Sequence, residues 1–390
     1  MRACLYMAWQ YVRYYRWQTL VLVVCLSTST CLPIGVRLLV RYYQADMEAR
    51  SLATPLVFGV RGHRFDLAMN ALYFRTDLEQ YASMTDLVLL RESQLTRAYP
   101  LFVRHTASGI PIAGVSTDYF AYRGLAPAAG TLPLLLGDVV LGSEVATRIN
   151  KGVGDFILSD QVDLYNLAAR YPLRMRIVGV LSPTGTVDDE AIFADIKTTW
   201  IIEGLAHGHD DLATKGQEQN ILSREQGNIV GNAAVTTYVE ITDANIASFH
   251  FHGKPGEQPL TSIICVPHDP KSGTILKARY VLSENRQLLV PASVIDELLR
   301  MIFKIEFFLH SSLALVAAAT AMLLGLIVLL SVRLRKREID TLHAIGCSRR
   351  FVVGMVVTEW AAIAAGSFAV SAAVIFLTLR LAPNIGHLLK

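Results

Sequence analysis

Charge is what this sequence has least of. Asp, Glu, Lys and Arg make up 18% of its 390 residues, against roughly 25% in an average soluble domain. A chain so poor in charge and 52% hydrophobic is not an intrinsically disordered one. Cysteine is scarce too: there are five, and only Cys265 lies between residues 41 and 306. A lone thiol closes no internal disulfide, so a disulfide scaffold is excluded there. No Gly-x-x-x-x-Gly-Lys-Ser/Thr loop is present to cradle ATP phosphates, and no His-Glu-x-x-His or Cys-x-x-Cys marks a common metal site. No repeat or low-complexity tract occurs. The net charge of +3 is too small to indicate a nucleic-acid partner.

What is present is unevenly distributed. Residues 1–40 carry four basic residues and no acid, residues 41–306 carry a net −6, and residues 307–390 a net +5. Basic ends around an acidic middle suggest two compartments. Trp17–Val36 and Phe307–Val332 contain no charged residue, and Phe351–Leu379 contains only Glu359. Each is long enough to cross a bilayer core, which takes about 20 apolar residues. The first carries Pro33 and is the weakest of the three. Between the second and third, residues 333–350 hold six basic residues, which places that loop in the cytoplasm. The expected fold class is an α-helical membrane protein with three transmembrane helices. A large α+β extracytoplasmic domain is inserted between helices 1 and 2. The expected layout is a cytoplasmic 1–16, spans at 17–40, 307–332 and 351–382, an outer domain of two lobes at 41–306, a cytoplasmic loop at 333–350 and a short outer 383–390.

Within the outer region, runs at Leu87–Leu90, Ile112–Ser116, Val139–Leu141, Phe156–Leu158, Met175–Leu181, Val235–Ile241 and Ser262–Pro267 read as strands. Leu67–Arg75, Ser143–Ile149 and Lys271–Leu282 read as helices. The mixture is α+β. Leu205–Gly227 is polar and reads as a loop or subdomain boundary. Gly152-Val153-Gly154-Asp155 reads as a turn between a helix and a strand. Pro291–Phe308 reads as a stalk helix running into the second span. His207, His209, His250 and His252, with Asp188-Asp189-Glu190, are the weak candidates for metal ligands. Alternate His residues on a strand share a face, which suits zinc or copper. Without a metal-site spacing, the expectation is that no metal is bound.

The spans carry small residues at four-residue spacing: Ala317, Ala321 and Gly325, then Ala361, Ala365, Ala369 and Ala373. Such stripes let helices approach closely in lipid, against each other or a second copy. Glu359, an early acid in the third span, is expected to snorkel or pair with Arg349 or Arg350. The loop reads as a short amphipathic helix with Ile339, Leu342 and Ile345 on one side, ended by Gly346 as a C-cap.

The loop sequence, Arg335-Lys336-Arg337-Glu338-Ile339-Asp340-Thr341-Leu342-His343-Ala344-Ile345-Gly346-Cys347-Ser348-Arg349-Arg350, closely resembles the FtsX-like permease domain. That domain belongs to the mechanotransmitting ABC transporters, the family of the macrolide exporter MacB and the lipoprotein-releasing LolC and LolE. The order of one span, a large periplasmic domain and further spans is similar to that family. So are Gly114–Phe120, Val140–Ala146, Gly152–Asp155 and Val178–Leu181 in the outer region. The resemblance implies a non-catalytic permease subunit in a bacterial cytoplasmic membrane. A separate cytoplasmic ABC ATPase would bind ATP and Mg, and this chain would hold no cofactor. A second permease copy or paralogue, and a periplasmic adaptor or lipoprotein, are implied as further partners. Arg337, Glu338, Leu342, Gly346, Ser348 and Arg349 are the implied coupling positions.

The family pattern has a fourth span, whereas this sequence ends at Lys390 after the third. A three-span variant, a shortened chain or a fourth helix from another chain all fit. The implied activity is export or extraction of a lipid, lipoprotein, peptide or drug. The alternative is a transmembrane signal transmitter regulating an envelope enzyme. A membrane-anchored metal-dependent enzyme is the remaining alternative.

Overall fold

The structure, a computed structural model, describes residues 2–75, 78–160, 172–208, 221–225, 228–231, 239–242, 244–334 and 336–385. In chain order it begins with helices α1 (Arg2–Tyr14) and α2 (Arg16–Leu52). There follow β1 (Leu56–Val60), α3 (Arg64–Tyr73), β2 (Ala82–Ser83), α4 (Met84–Glu92), β3 (Thr96–Ala107), β4 (Ile110–Val115) and α5 (Thr117–Arg123). Next are β5 (Pro127–Gly130), β6 (Asp138–Leu141), α6 (Ser143–Ile149), β7 (Phe156–Leu158), β8 (Arg174–Leu181), β9 (Ile192–Asp195) and α7 (Ile196–Ile202). Then come β10 (Ala206–His207), β11 (Ile221–Glu225), β12 (Asn228–Gly231), β13 (His250–Phe251), β14 (Pro259–Leu260) and β15 (Ser262–Pro267). The chain closes with α8 (Pro270–Val281), β16 (Arg286–Leu289), α9 (Pro291–Leu334), α10 (Lys336–Ala344) and α11 (Arg349–Ile385). Two compact units result: Asp46–Glu297, and Met1–Ala45 with Leu298–Lys390.

The Asp46–Glu297 unit is α+β. One mixed sheet of ten strands runs in the order β16-β1-β15-β3-β4-β9-β6-β8-β5, with β7 added on β8. The pairs β4–β9 and β6–β8 are parallel and the others antiparallel. Runs such as Val139–Leu141 and Ser262–Ile264 are fully buried because helices cover the sheet. Beneath them, Phe74, Tyr119, Phe120 and Phe193 form an aromatic cluster, with Phe193 edge-on to Phe74 and Phe120 at 5.8 Å. A second cluster joins Phe58, Leu87, Leu90, Trp200 and Leu276.

Most of the expected strands and helices form, with one correction. Leu87–Leu90 lies in helix α4, not in a strand. Leu87 and Leu90 are buried while Val88 and Leu89 are exposed, which is a helical period. Ser83 and Asp86 start this helix by capping each other: Ser83 N–H donates to the Asp86 carboxylate at 2.8 Å and Asp86 N–H donates to Ser83 Oγ at 3.4 Å. A four-residue apolar run does not by itself distinguish strand from helix. The residues of Val235–Ile241 up to 238 lie outside the described set, as does most of Leu205–Gly227. The Gly152–Asp155 segment is a turn, with Gly154 at φ 94° and Gly152 N–H donating to Asp155 Oδ2 at 2.9 Å.

At the last turn of α2 the unit takes two opposite charges out of water. Arg50 and Asp188 are both buried and form a bidentate pair, Nη1 with Oδ2 and Nη2 with Oδ1, the latter at 2.9 Å. Arg50 Nε also donates to the Leu72 carbonyl at 3.1 Å, and its guanidinium lies over the Phe74 ring. Burial works against the charged guanidinium, but the hydrogen bonds and charge of Asp188 outweigh it and push its pKa up. Asp188 is itself fixed by a turn. Asp189 accepts N–H groups from Thr184 and Gly185 at 2.9 and 2.7 Å. Gly142 packs so tightly on the carbonyls of Asp188 and Asp189 that no Cβ fits.

Leaving one buried charge unpaired costs more than the pair contributes, about 3–5 kcal/mol. Arg50→Ala and Asp188→Ala should therefore each lower unfolding stability by about that much. Chemical denaturation of the double variant should show a loss well below the sum of the two.

Candidate functional site

The Met1–Ala45 and Leu298–Lys390 unit is built from long apolar helices. Among the described residues one segment, Arg349–Leu377, is long and apolar enough to cross a membrane, and Ser311–Ile327 within α9 is a shorter apolar helix. Helix α11 packs on α2 through one stripe. Val352, Glu359, Ile363, Ser367 and Ser371 are the buried positions of α11, and the last four are spaced by four residues, so they share a face. Against them lie Ser27 and Thr30. Ser27 Oγ donates to the Ser367 carbonyl at 3.1 Å, Ser371 Oγ donates to the Ser27 carbonyl at 3.2 Å, and the Thr30 and Ser371 hydroxyls are 2.8 Å apart. Small hydroxyl residues let the backbones approach and supply bonds where no water competes. Glu359 is buried on this same face.

Among the described residues, the seam between α2 and α11 does not use the alanine stripe. Ala361, Ala365, Ala369 and Ala373 are exposed, as are Ala317, Ala321 and Gly325 of α9. The packed face of α11 lies two residues away because serine, not alanine, meets the hydroxyls of α2. Spotting that face from sequence required reading Ser27, Thr30, Ser367 and Ser371 as helix-spaced polar residues inside apolar runs.

Between α9 and α11 the chain makes the short helix α10 and a tight exit. Gly346 has φ 96°, and nothing lies within 4 Å of the place its Cβ would take. The demand for glycine there is conformational, not steric. Ser348 then starts α11: its Oγ accepts the Phe351 N–H at 3.3 Å and its carbonyl accepts the same group at 3.0 Å. On α10, Thr341 and His343 bond back to the carbonyls of Arg337 and Ile339, each at 2.8 Å. Arg337, Ser348, Arg349 and Arg350 are exposed, and Ile345 is 75% exposed. The side chains of Glu338 and Leu342 lie outside the described residues. The geometry offers guanidinium donors beside an open apolar side chain on a rigid turn. Among the described residues, the surface here combines exposed basic side chains with the exposed apolar side chain of Ile345.

In the α+β unit, His207, His250 and His252 come together, with ligand nitrogens all within 4.8 Å of one another. His209 lies outside the described residues. The acids proposed to join them do not. Asp188 pairs with Arg50, Asp189 holds the Thr184–Gly185 turn, and Glu190 lies 3.8 Å from Arg75. Cys265 is buried on β15, and burial pushes its thiol pKa far up.

Comparison with known proteins bears on both units. A family described as the MacB-like periplasmic core domain matches residues 47–247, and one described as the FtsX-like permease C-terminal matches residues 311–388. Among solved structures, the periplasmic region of MacB from Actinobacillus actinomycetemcomitans is similar at 13% identity and a TM-score of 0.34. That match covers 64% of this chain and 94% of the other. The extracellular domain of the ABC-type transporter YknZ from Gram-positive bacteria is similar at 8% identity and a TM-score of 0.33, over 60% and 99%. No curated protein matches the chain.

The seam between α2 and α11 gives a direct test. A Thr30→Ala and Ser371→Ala double-mutant cycle, read by denaturation in mixed micelles, should give a coupling of about 0.6 kcal/mol. Additive single effects would mean that the hydroxyl pair contributes nothing.

Proposed function

The chain belongs to the MacB and FtsX-like family of ABC transporter permeases, and on that premise we propose that it couples ATP hydrolysis on a separate cytoplasmic ATPase to movement of its outer unit. The family works with ABC ATPase partners and its permeases are not themselves the catalysts. The sequence carries no phosphate-binding loop, and in this reading ATP and Mg are bound by the partner.

The observation that carries the proposal is the exposed turn at Gly346 to Arg349. It joins α10 to an apolar helix long enough to cross a membrane. A rigid left-handed turn followed by a serine-capped helix transmits a push at α10 into α11 without first bending the connection. Arg337 and Arg349 are the docking charges in this reading. Glu338 and Leu342 complete the contact, while Gly346 and Ser348 fix its shape.

In this reading α2, α9 and α11 each cross the membrane, and the six basic residues of 333–350 keep that loop inside the cell. The membrane is the bacterial cytoplasmic membrane, with the α+β unit on the far side. The exposed alanine faces of α9 and α11 suit a second permease copy. An adaptor or lipoprotein suits the outer unit. The cargo class is a lipid, lipoprotein, peptide or drug.

Co-purification with the cognate ATPase tests the docking charges. Each charge-assisted hydrogen bond is worth about 1.5 kcal/mol or more, near a factor of ten. Arg337→Glu and Arg349→Glu should each weaken ATPase binding by about tenfold or more and lower permease-stimulated hydrolysis. Unchanged association and stimulation in the double variant would remove the coupling role from this loop.

A further inference from the structure

We infer that His207, His250 and His252 form a binding site for a divalent late transition metal ion, zinc in the first instance, at the base of the chain excursion between β10 and β13. The inference is independent of the permease reading. It rests on how a two-residue ladder places three imidazoles.

The strands β10 and β13 are antiparallel, with Ala206 opposite Phe251 and His207 opposite His250. Directly opposed residues on a ladder point to the same face, and His252 shares that face with His250 because side chains alternate along a strand. The three rings are 4.7 to 4.9 Å apart, centroid to centroid. His252 Nε2 and His207 Nδ1 are 3.3 Å apart. Two ligand nitrogens of one tetrahedral zinc, each about 2.0–2.1 Å from the ion, sit at about that separation.

The backbone beneath the cluster is held from several sides. His252 N–H donates to the Leu205 carbonyl and Gln258 Nε2 donates to the His252 carbonyl, both at 2.9 Å. Phe251, on the opposite face, meets Trp200 edge-on at 6.2 Å. Trp200 is buried, and its indole N–H donates to the Pro259 carbonyl at 2.9 Å. Gly208 lies against the Phe249 ring so closely that a Cβ would meet it at 2.7 Å. The ladder is thus clamped onto the core and does not need an ion to exist.

Orientation is also provided. His250 Nδ1 lies 3.2 Å from the Ser248 carbonyl. A carbonyl accepts only from a protonated nitrogen, so the tautomer this contact favours puts the ring's lone pair on Nε2. Ligating histidines are characteristically oriented by such a second bond. The donor set is three nitrogens with no carboxylate among the described members of the cluster. Nitrogen donors suit zinc, copper or nickel and do not suit calcium or magnesium, which take oxygen. His252 is exposed, so an ion reaches the site from solvent. A fourth tetrahedral position is left for water or an external donor. The role this assigns is a staple: the ion ties residue 207 to residues 250 and 252 and closes the excursion between them.

The test uses the full chain in detergent, made without a polyhistidine tag and stripped with a chelator. Equilibrium dialysis against micromolar zinc, followed by elemental analysis, should give one zinc per chain. Zinc should raise the thermal midpoint by about 5 °C or more when present at about a hundred times its dissociation constant. His207→Ala, His250→Ala and His252→Ala should each weaken binding by about a hundredfold or more, beyond the range seen for changes outside the ligand set. His63→Ala, at an exposed histidine paired with Asp66, should leave the stoichiometry at one. Because His252 is exposed, His252→Ala should keep the far-ultraviolet circular dichroism of the parent while losing zinc. Absence of stoichiometric zinc in the parent, or retention of one zinc in all three alanine variants, overturns the site. In either case the cluster is a hydrogen-bonded set of imidazoles and nothing more.

Discussion

A charge buried without its partner is among the most costly things a folded chain can hold, and the outer unit is arranged around avoiding one. Arg50 sits at the last turn of α2 with its guanidinium out of water, and Asp188 meets it with both oxygens. Everything that positions Asp188 is therefore recruited to the end of α2. The Thr184–Glu190 turn is tied down by Asp189, and Gly142 is pressed against its carbonyls to start α6. Tyr122 and Arg123 of α5 reach the residues that follow, bonding the Ala53 carbonyl and the Thr54 hydroxyl at 2.8 Å each. The helix end thus joins a network of strands and turns, not a flexible linker. On the proposed function, this is where a pull along α2 would enter the sheet.

The helical unit solves the complementary problem. Inside an apolar environment the hydrophobic effect does not hold helices together, so contact surface and shared hydrogen bonds must. Ser27, Thr30, Ser367 and Ser371 supply both at one seam. That leaves the alanine faces and the α10 turn exposed, the surfaces that the proposed function assigns to a second copy and an ATPase. The family is that of ABC transporter permeases, and the loop presents an exposed basic turn at Gly346.

Much of this was legible in the sequence because it is local. Burial on both faces makes Val139–Leu141 and Ile263–Cys265 continuous apolar runs, and left-handed backbone selects glycine at 346. The Leu87–Leu90 run was not legible, since four apolar residues fit either period until Ser83 and Asp86 are recognised as a capping pair. Long-range partners were less legible still. Nothing near Arg50 announces Asp188, 138 residues away. The histidine cluster was visible as residue types, but its register depends on a two-residue ladder joining 207 to 250. Residue type alone also grouped Asp188-Asp189-Glu190 with the histidines, whereas the fold commits those acids to Arg50, the Thr184 turn and the neighbourhood of Arg75.

On the proposed function, the α10 turn and the α+β unit face opposite sides of one membrane. Native Cys347 reports the first, and a Leu282→Cys substitution, at an exposed position after α8, reports the second. Cys265 is silent because it is buried and its thiol holds its proton. With Cys4, Cys25 and Cys31 replaced by serine, a membrane-impermeant maleimide should label Cys347 only in inside-out vesicles. It should label the Leu282→Cys thiol only in right-side-out vesicles. Labelling of both thiols from the same face would contradict the account.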